Sequence, residues 1–171
     1  MRDLIERAKK GDPSALTTLV NAHKDLAFNL ALGIVKDADD AKDVTQQSFL
    51  KVLEHIRDFR SEAKFSTWLF KIVYNESLKF NSRRSKMLPL NDSGHEELIE
   101  EDVSREEFSN KVTRVIEKLG AKEKLVLRLF YLGGKQIREI EQITGFSNNN
   151  VKVLLHRGRT QLRRLFSIED D

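Results

Sequence analysis

The stretch "GFSNNNVKVLLHRGR", Gly145 to Arg159, places three consecutive asparagines where an amphipathic pattern begins. Asparagine is a poor helix former because its amide competes for nearby backbone groups. It suits the first turn of a helix better, and its amide can bond adenine in a bidentate way. Upstream of the glycine, Ile137, Ile140 and Ile143 mark a short helix, expected over 135 to 144. Downstream, Val151, Leu155 and Leu162 mark a longer one, from 148 to about 166. Two helices joined through a tight glycine turn fit a helix-turn-helix. Spacing alone fits an αα-hairpin with no DNA role equally well.

Charge separates the two. From Lys135 to Arg164 there are seven Lys/Arg and two Glu, with most of the cations on the second helix. A recognition helix enters the major groove with its N-terminal turns. Ser147 can cap this one, leaving Asn148, Asn149 and Asn150 on the first turn. Successive residues lie about 100° apart around the axis, so the three cannot all face DNA, and one is expected to help the cap. Lys152, His156 and Arg157 fall near the same face one turn on, suited to phosphate or guanine; Arg159, Arg163 and Arg164 can reach the backbone. Val153 can meet a thymine methyl or simply pack, and both readings stand.

The rest of the chain is read in that light. Its 171 residues contain only 8 Gly and 2 Pro and no Cys, a composition that favours an all-α protein and excludes disulfides and thiol chemistry. There is no glycine-rich phosphate loop, long apolar run or signal-peptide pattern, so a cytoplasmic protein is expected. His23, His55, His95 and His156 are scattered, with no nucleophile motif or metal-ligand spacing joining them. No catalytic residue, metal or cofactor is assigned, and the chain is read as not an enzyme. The net charge of +3 is uneven: residues 1 to 86 hold 16 Lys/Arg against 12 Asp/Glu, 87 to 108 hold 1 against 8, and 109 to 171 hold 13 against 7. Two basic ends flanking an acidic middle favour a polyanionic partner.

Asp12 followed by Pro13 signals a helix start. Leu16, Leu19, Val20, Ala27, Leu30, Ala31 and Ile34 then define one apolar face, on which His23 reads as a packed residue. A second helix should open near Asp37 to Asp40, with Val44, Phe49, Leu50, Val52, Leu53 and Ile56 apolar and Asp43, Gln46, Gln47 and Lys51 on a polar side. "FRSEAKF" (59–65) interrupts the pattern, and "STWLFKIVYNESLKFNSRR" (66–84) resumes it with many aromatics and a basic end. "MLPLNDSGHEELIEEDV" (87–103) has no period and reads as a flexible acidic linker. Ser104 with Glu107 forms a capping box before the stripe Phe108, Val112, Val115, Ile116 and Leu119, stopped by Gly120; Leu125, Val126, Leu129 and Phe130 carry another helix.

Two stretches bring a family into view. "KQIREIEQITGFSNNNVKVLLHRGRTQLRRL" (135–165) resembles region four of the extracytoplasmic-function (ECF) sigma factors, small alternative specificity subunits of bacterial RNA polymerase. "DAKDVTQQSFLKVLEHIRDFRSEAKFSTWLFKIVYN" (40–75) is similar to their region two. The resemblance implies two small helical modules joined by a flexible acidic linker: 1–86 for core binding and minus-ten recognition and melting, 87–108 as linker, and 109–171 as a helix-turn-helix domain for minus-thirty-five recognition. It implies that Asp43, Gln46, Gln47, Phe49 and Lys51 dock onto the clamp helices of the large polymerase subunit. It assigns Phe59, Arg60, Lys64, Phe65, Trp68, Lys71 and Asn75 to opening the minus-ten element and holding an extruded base. By the same token Asn148, Asn149, Asn150, Lys152, Val153, His156 and Arg157 read minus-thirty-five duplex DNA.

Strand opening needs stacking surfaces and cations, which agrees with that assignment, although Trp68 fits a core position equally well. Promoter DNA and bacterial core RNA polymerase are the implied partners, with an anti-sigma factor as a possible third and no membrane insertion. The acidic linker threads the polymerase near its active centre by analogy, or is a solubilising tether. Departures from the family pattern are Gln47 for a common Glu, Gly120 and Ala121 for a Leu-Pro or Pro-Pro start, and Asn149 and Asn150 for Gly-Thr. Val153 and Leu154 replace Ser-Arg, and Glu141 stands where a small residue usually faces the second helix. The alternative is a helix-turn-helix regulator whose N-terminal helices sense a ligand or dimerise.

Overall fold

The computed structural model of the chain describes residues 1–87 and 119–169, and holds only helices and connecting turns among them. Helix α1, Arg2–Lys9, buries Ile5 and Ala8. Helix α2, Pro13–Val35, starts as its sequence dictates: the Asp12 carboxylate accepts from the amides of Ser14 (2.9 Å) and Ala15 (3.3 Å), and Pro13 takes a first-turn position where no donor is needed. The Arg7 guanidinium, bonded to Asp12 at 2.8 Å, holds that carboxyl below its ordinary range. Helix α3, Ala38–His55, is capped by Asp37, which accepts from the Asp40 amide at 2.9 Å.

A single 3-10 turn, Ile56–Asp58, and a short loop lead into helix α4, Phe65–Met87. Helices α2, α3 and α4 pack pairwise around Leu19, Leu30, Val44, Val52, Leu69, Phe70 and Val73. Ala27, Ala31, Ala41, Ser48 and Ser77 lie buried between them and let the backbones approach closely. The two buried serine hydroxyls donate back to the carbonyls of Val44 (2.7 Å) and Val73 (2.8 Å), so neither enters the core unpaired. His23 is a packed residue, its Nδ1 2.9 Å from the Leu19 carbonyl and its ring edge-on to Phe65 at 5.4 Å.

Among the described residues the second module's first helix is α5, Ala121–Leu127, which widens into one π turn over Arg128–Leu132. Helix α6, Ile137–Thr144, opens two residues later than its pattern predicted. Gln136 occupies the cap because the Glu139 carboxylate reaches back to its amide at 2.9 Å. Gly145, at φ 75°, turns the chain into helix α7, Asn148–Glu169. Val126, Ile140, Ile143, Val151, Leu154 and Leu155 form this module's core. Gly158 lets α7 lie close against α5: a Cβ there would come within 2.6 Å of Leu127 Cδ1, so the buried leucine would have to shift.

The modules pack on each other, α4 against α6 and α2 against α5, around a narrow cleft lined by Leu26, Leu30, Phe70, Leu129 and Leu132. The expected cap at Ser104 with Glu107, the stripe from Phe108 to Ile116 and the linker sequence from 88 onward lie outside the described residues.

Candidate nucleic-acid and polymerase interfaces

Helix α7 divides cleanly. Val151, Leu154, Leu155 and Gly158 are buried, while Asn149, Asn150, Lys152, Val153, His156 and Arg157 are exposed on the opposite side. Ser147 caps the helix by accepting from the Asn150 amide at 3.3 Å. Among the described residues, the side chains of Lys152, His156 and Arg157 make no ion pair or hydrogen bond, so the basic stripe is uncommitted. Asn148 differs. It is half-buried, and its amide nitrogen donates at 2.8 Å to Glu141 on α6, rather than to the cap. Arg159 is also occupied: its Nε donates to the Tyr131 hydroxyl at 2.8 Å and its guanidinium lies 5.2 Å from the centre of the Phe130 ring. That stacking lays the exposed Arg159 side chain along the π turn.

The aromatic set resolves by depth. Phe59 and Phe65, expected as stacking surfaces for DNA, are 6% and 4% exposed, so their rings cannot meet a base in this arrangement. They form a floor for Trp68, whose half-buried ring lies 5.0 Å from Phe59 and 5.9 Å from Phe65. Trp68 is therefore the one ring of the three with a free face. Arg60, Lys64, Lys71 and Asn75 are exposed. Proximity of aromatics in a sequence does not distinguish a stacking platform from the core beneath it, and here the chain uses both.

On α3, Asp43, Gln46 and Gln47 are exposed and form one wall of a groove whose other wall is Glu76, Lys79 and Arg83 of α4. Phe49 is half-buried against the core. Lys51 is tied down by Glu76 at 2.7 Å, and Lys79 reaches the same carboxylate at 3.1 Å. Burial alone pushes Glu76 up, but hydrogen bonds from the two lysines bring it below its ordinary range. Lys51 thus shapes the groove more than it offers a free charge.

Four residues that the sequence did not single out meet where the modules touch. Glu139 of α6 accepts from Thr67 (3.1 Å) of α4 and from Lys64 (3.2 Å) of the loop before it. Burial pushes the Glu139 carboxyl up, yet the Gln136 amide, Lys64, Thr67 and Lys135 together hold it below its ordinary value. Lys135 is only 5% exposed; its ammonium donates to Ser66 and sits 5.0 Å from the Phe70 ring centre. Desolvation lowers its pKa. A signal was present in "KQIRE": a lysine and a glutamate four apart flank the start of α6, but which module they serve is a tertiary fact. Among the described residues no helix is long and apolar enough to cross a membrane, and no group of His, Asp and Glu is gathered for a metal ion.

Comparison with known proteins places this geometry. The family model for Sigma-70 region 2 matches residues 19–87 and that for Sigma-70, region 4 matches residues 109–162, which sets the chain among sigma-70-type transcription factors. It is 30% identical over 175 residues to the ECF RNA polymerase sigma factor SigW of Bacillus subtilis, covering 94% of this chain and 93% of that protein. It is 28% identical to RNA polymerase sigma factor SigV of the same organism, covering 96% and 98%. The chain belongs to the ECF RNA polymerase sigma factors. Its fold is shared with CnrH, solved in complex with the cytosolic domain of CnrY, at a TM-score of 0.70, 24% identity and coverage of 98% and 97%. RpoE from Bartonella quintana, solved with the anti-sigma factor NepR, shares the fold at a TM-score of 0.69 and 16% identity, covering 89% and 96%. Membership in this family sets aside the free-standing regulator.

Proposed function

We propose that this sigma factor divides its work among three faces of the described structure. The α3 wall of Asp43, Gln46 and Gln47, supported by Phe49 and Lys51, docks on core polymerase. Trp68, standing on the Phe59 and Phe65 floor and flanked by Arg60, Lys64, Lys71 and Asn75, opens the minus-ten element. Helix α7 reads the minus-thirty-five element through Asn148, Asn149, Asn150, Lys152, Val153, His156 and Arg157. The protein carries no catalytic group of its own, requires no cofactor, and acts in the cytoplasm where polymerase and promoter DNA are.

The observation that supports this reading most strongly is the split of α7: every small or apolar residue from Val151 to Gly158, except Val153, is buried, and the polar and basic remainder has no protein partner among the described residues. A bare αα-hairpin has no use for such a face. Co-elution of the full chain with bacterial core polymerase, weakened by Asp43→Ala with Gln46→Ala, tests the docking face. Retained co-elution by a folded double variant assigns docking elsewhere.

The complexes of CnrH and RpoE carry partner proteins in their solved structures. We extend to this chain only the general expectation that an anti-sigma protein competes for the polymerase-facing surfaces. Increased promoter output when such a protein is deleted from the host is the matching test.

A further inference from the structure

We propose that Glu141 is a positioning residue that sets the base preference of Asn148, so that this helix favours adenine or cytosine over guanine or thymine at the minus-thirty-five position Asn148 meets. The inference rests on the reading of α7 as the minus-thirty-five helix. Its starting point is the 2.8 Å hydrogen bond from Asn148 Nδ2 to Glu141 Oε2. The two residues lie on different helices, either side of the Gly145 turn, and both are half-buried.

Asparagine is ambiguous by itself: a half-turn about its last torsion exchanges a donor for an acceptor at the same place. A carboxylate removes the ambiguity because it only accepts. The Asn148 nitrogen must face Glu141, and the carbonyl Oδ1 must face away. In the major groove an acceptor held in place is matched by the N6 amino group of adenine or the N4 amino group of cytosine. Guanine O6 and thymine O4 present an acceptor to it, which leaves both groups unpaired. Adenine gains further if the second amide hydrogen reaches its N7.

The same carboxylate also lies beside the N-terminus of α7, where a negative charge is favourable. Stabilising the turn is therefore the competing role, and base preference at one position is the readout that separates the two. The experiment uses the full chain bound to core polymerase and a promoter pool in which each minus-thirty-five position carries all four bases, scored by transcript yield per template. For the wild type, one position should favour A or C over G or T by about fivefold or more. Glu141→Ala should bring that position to within about twofold while leaving the others unchanged. Asn148→Ala should do the same, and the double variant should go no further than either.

Glu141→Gln, whose amide can present either its oxygen or its nitrogen to Asn148, restores the ambiguity and should weaken the preference. An unchanged profile in folded Glu141→Ala, or a uniform loss at all promoters, overturns the inference. A wild-type profile flat at every minus-thirty-five position overturns both the inference and the reading of α7 beneath it.

Discussion

Thr67 offers the cleanest test of how firmly the two modules hold each other. It is 2% exposed, and its hydroxyl donates to Glu139 across the junction at 3.1 Å. Replacing it with valine keeps the shape and removes the donor, so the loss falls on the packed arrangement; in the separated one the hydroxyl would only meet water. A hydrogen bond to a charged group contributes about 1.5 to 3 kcal/mol. The lower end applies here, because Glu139 keeps its Lys64 partner and that lysine side chain is 67% exposed and open to water. About 1.5 kcal/mol lowers the ratio of packed to separated molecules roughly tenfold.

Lys64→Ala should do less, about 0.5 kcal/mol, because exposed ion pairs are weak. The chain has no cysteine, so dyes can be placed at Asn21→Cys and Gln161→Cys, both exposed, without background labelling. Energy transfer followed through a urea titration reports separation before either module unfolds. Thr67→Val should move that first transition to lower urea. A transition that does not shift, or one that shifts more for Lys64→Ala than for Thr67→Val, refutes the assignment of this hydrogen bond to the junction.

Arg157→Ala should weaken promoter-directed transcription by about 1 to 3 kcal/mol if it contacts a base; co-elution with core polymerase should persist, and its loss from a folded variant contradicts the division of faces. Trp68→Ala should spare closed-complex binding but slow strand opening, read from a fluorescent base in the minus-ten element; its melting temperature should be measured alongside, since a half-buried ring also stabilises α4. Acid should loosen the junction through Glu139. Its folded pKa is depressed, so its stabilising effect is present above the unfolded value of about 4.3 and is lost as pH falls through the folded one. Energy transfer should fall below that pH in the wild type, and a Glu139→Gln chain showing the same acid transition assigns it to another group.

The helices were legible where local chemistry decides. Asp12 with Pro13 and Asp37 cap as their sequences require, and Ser147 caps α7. The Gly145 turn followed from a residue that tolerates positive φ. The π turn at Arg128–Leu132 was not legible, because Leu125, Val126, Leu129 and Phe130 fit a regular helix just as well. Depth was the second gap: Phe59, Phe65 and Trp68 are alike in composition, and only packing puts two below and one above. Glu141 shows the third. Its departure from the family pattern was visible in the chain, but Asn148 as its partner needed the turn to be built.

The packed arrangement also bears on how both promoter elements are met. They lie about 25 base pairs apart, or about 85 Å of B-form DNA. A compact chain of this length has a radius of gyration of about 15 Å, too small to present one module at each end. On the proposed division of faces Lys64 has two employments: in the packed chain it pairs with Glu139, and on the promoter it would be free for phosphate. Because that pair is exposed and weak, exchanging it for a DNA phosphate costs little, and the junction can yield to DNA and polymerase without either module unfolding. The buried Lys135 points the same way: desolvation disfavours its charge in the packed state, and separation returns it to water.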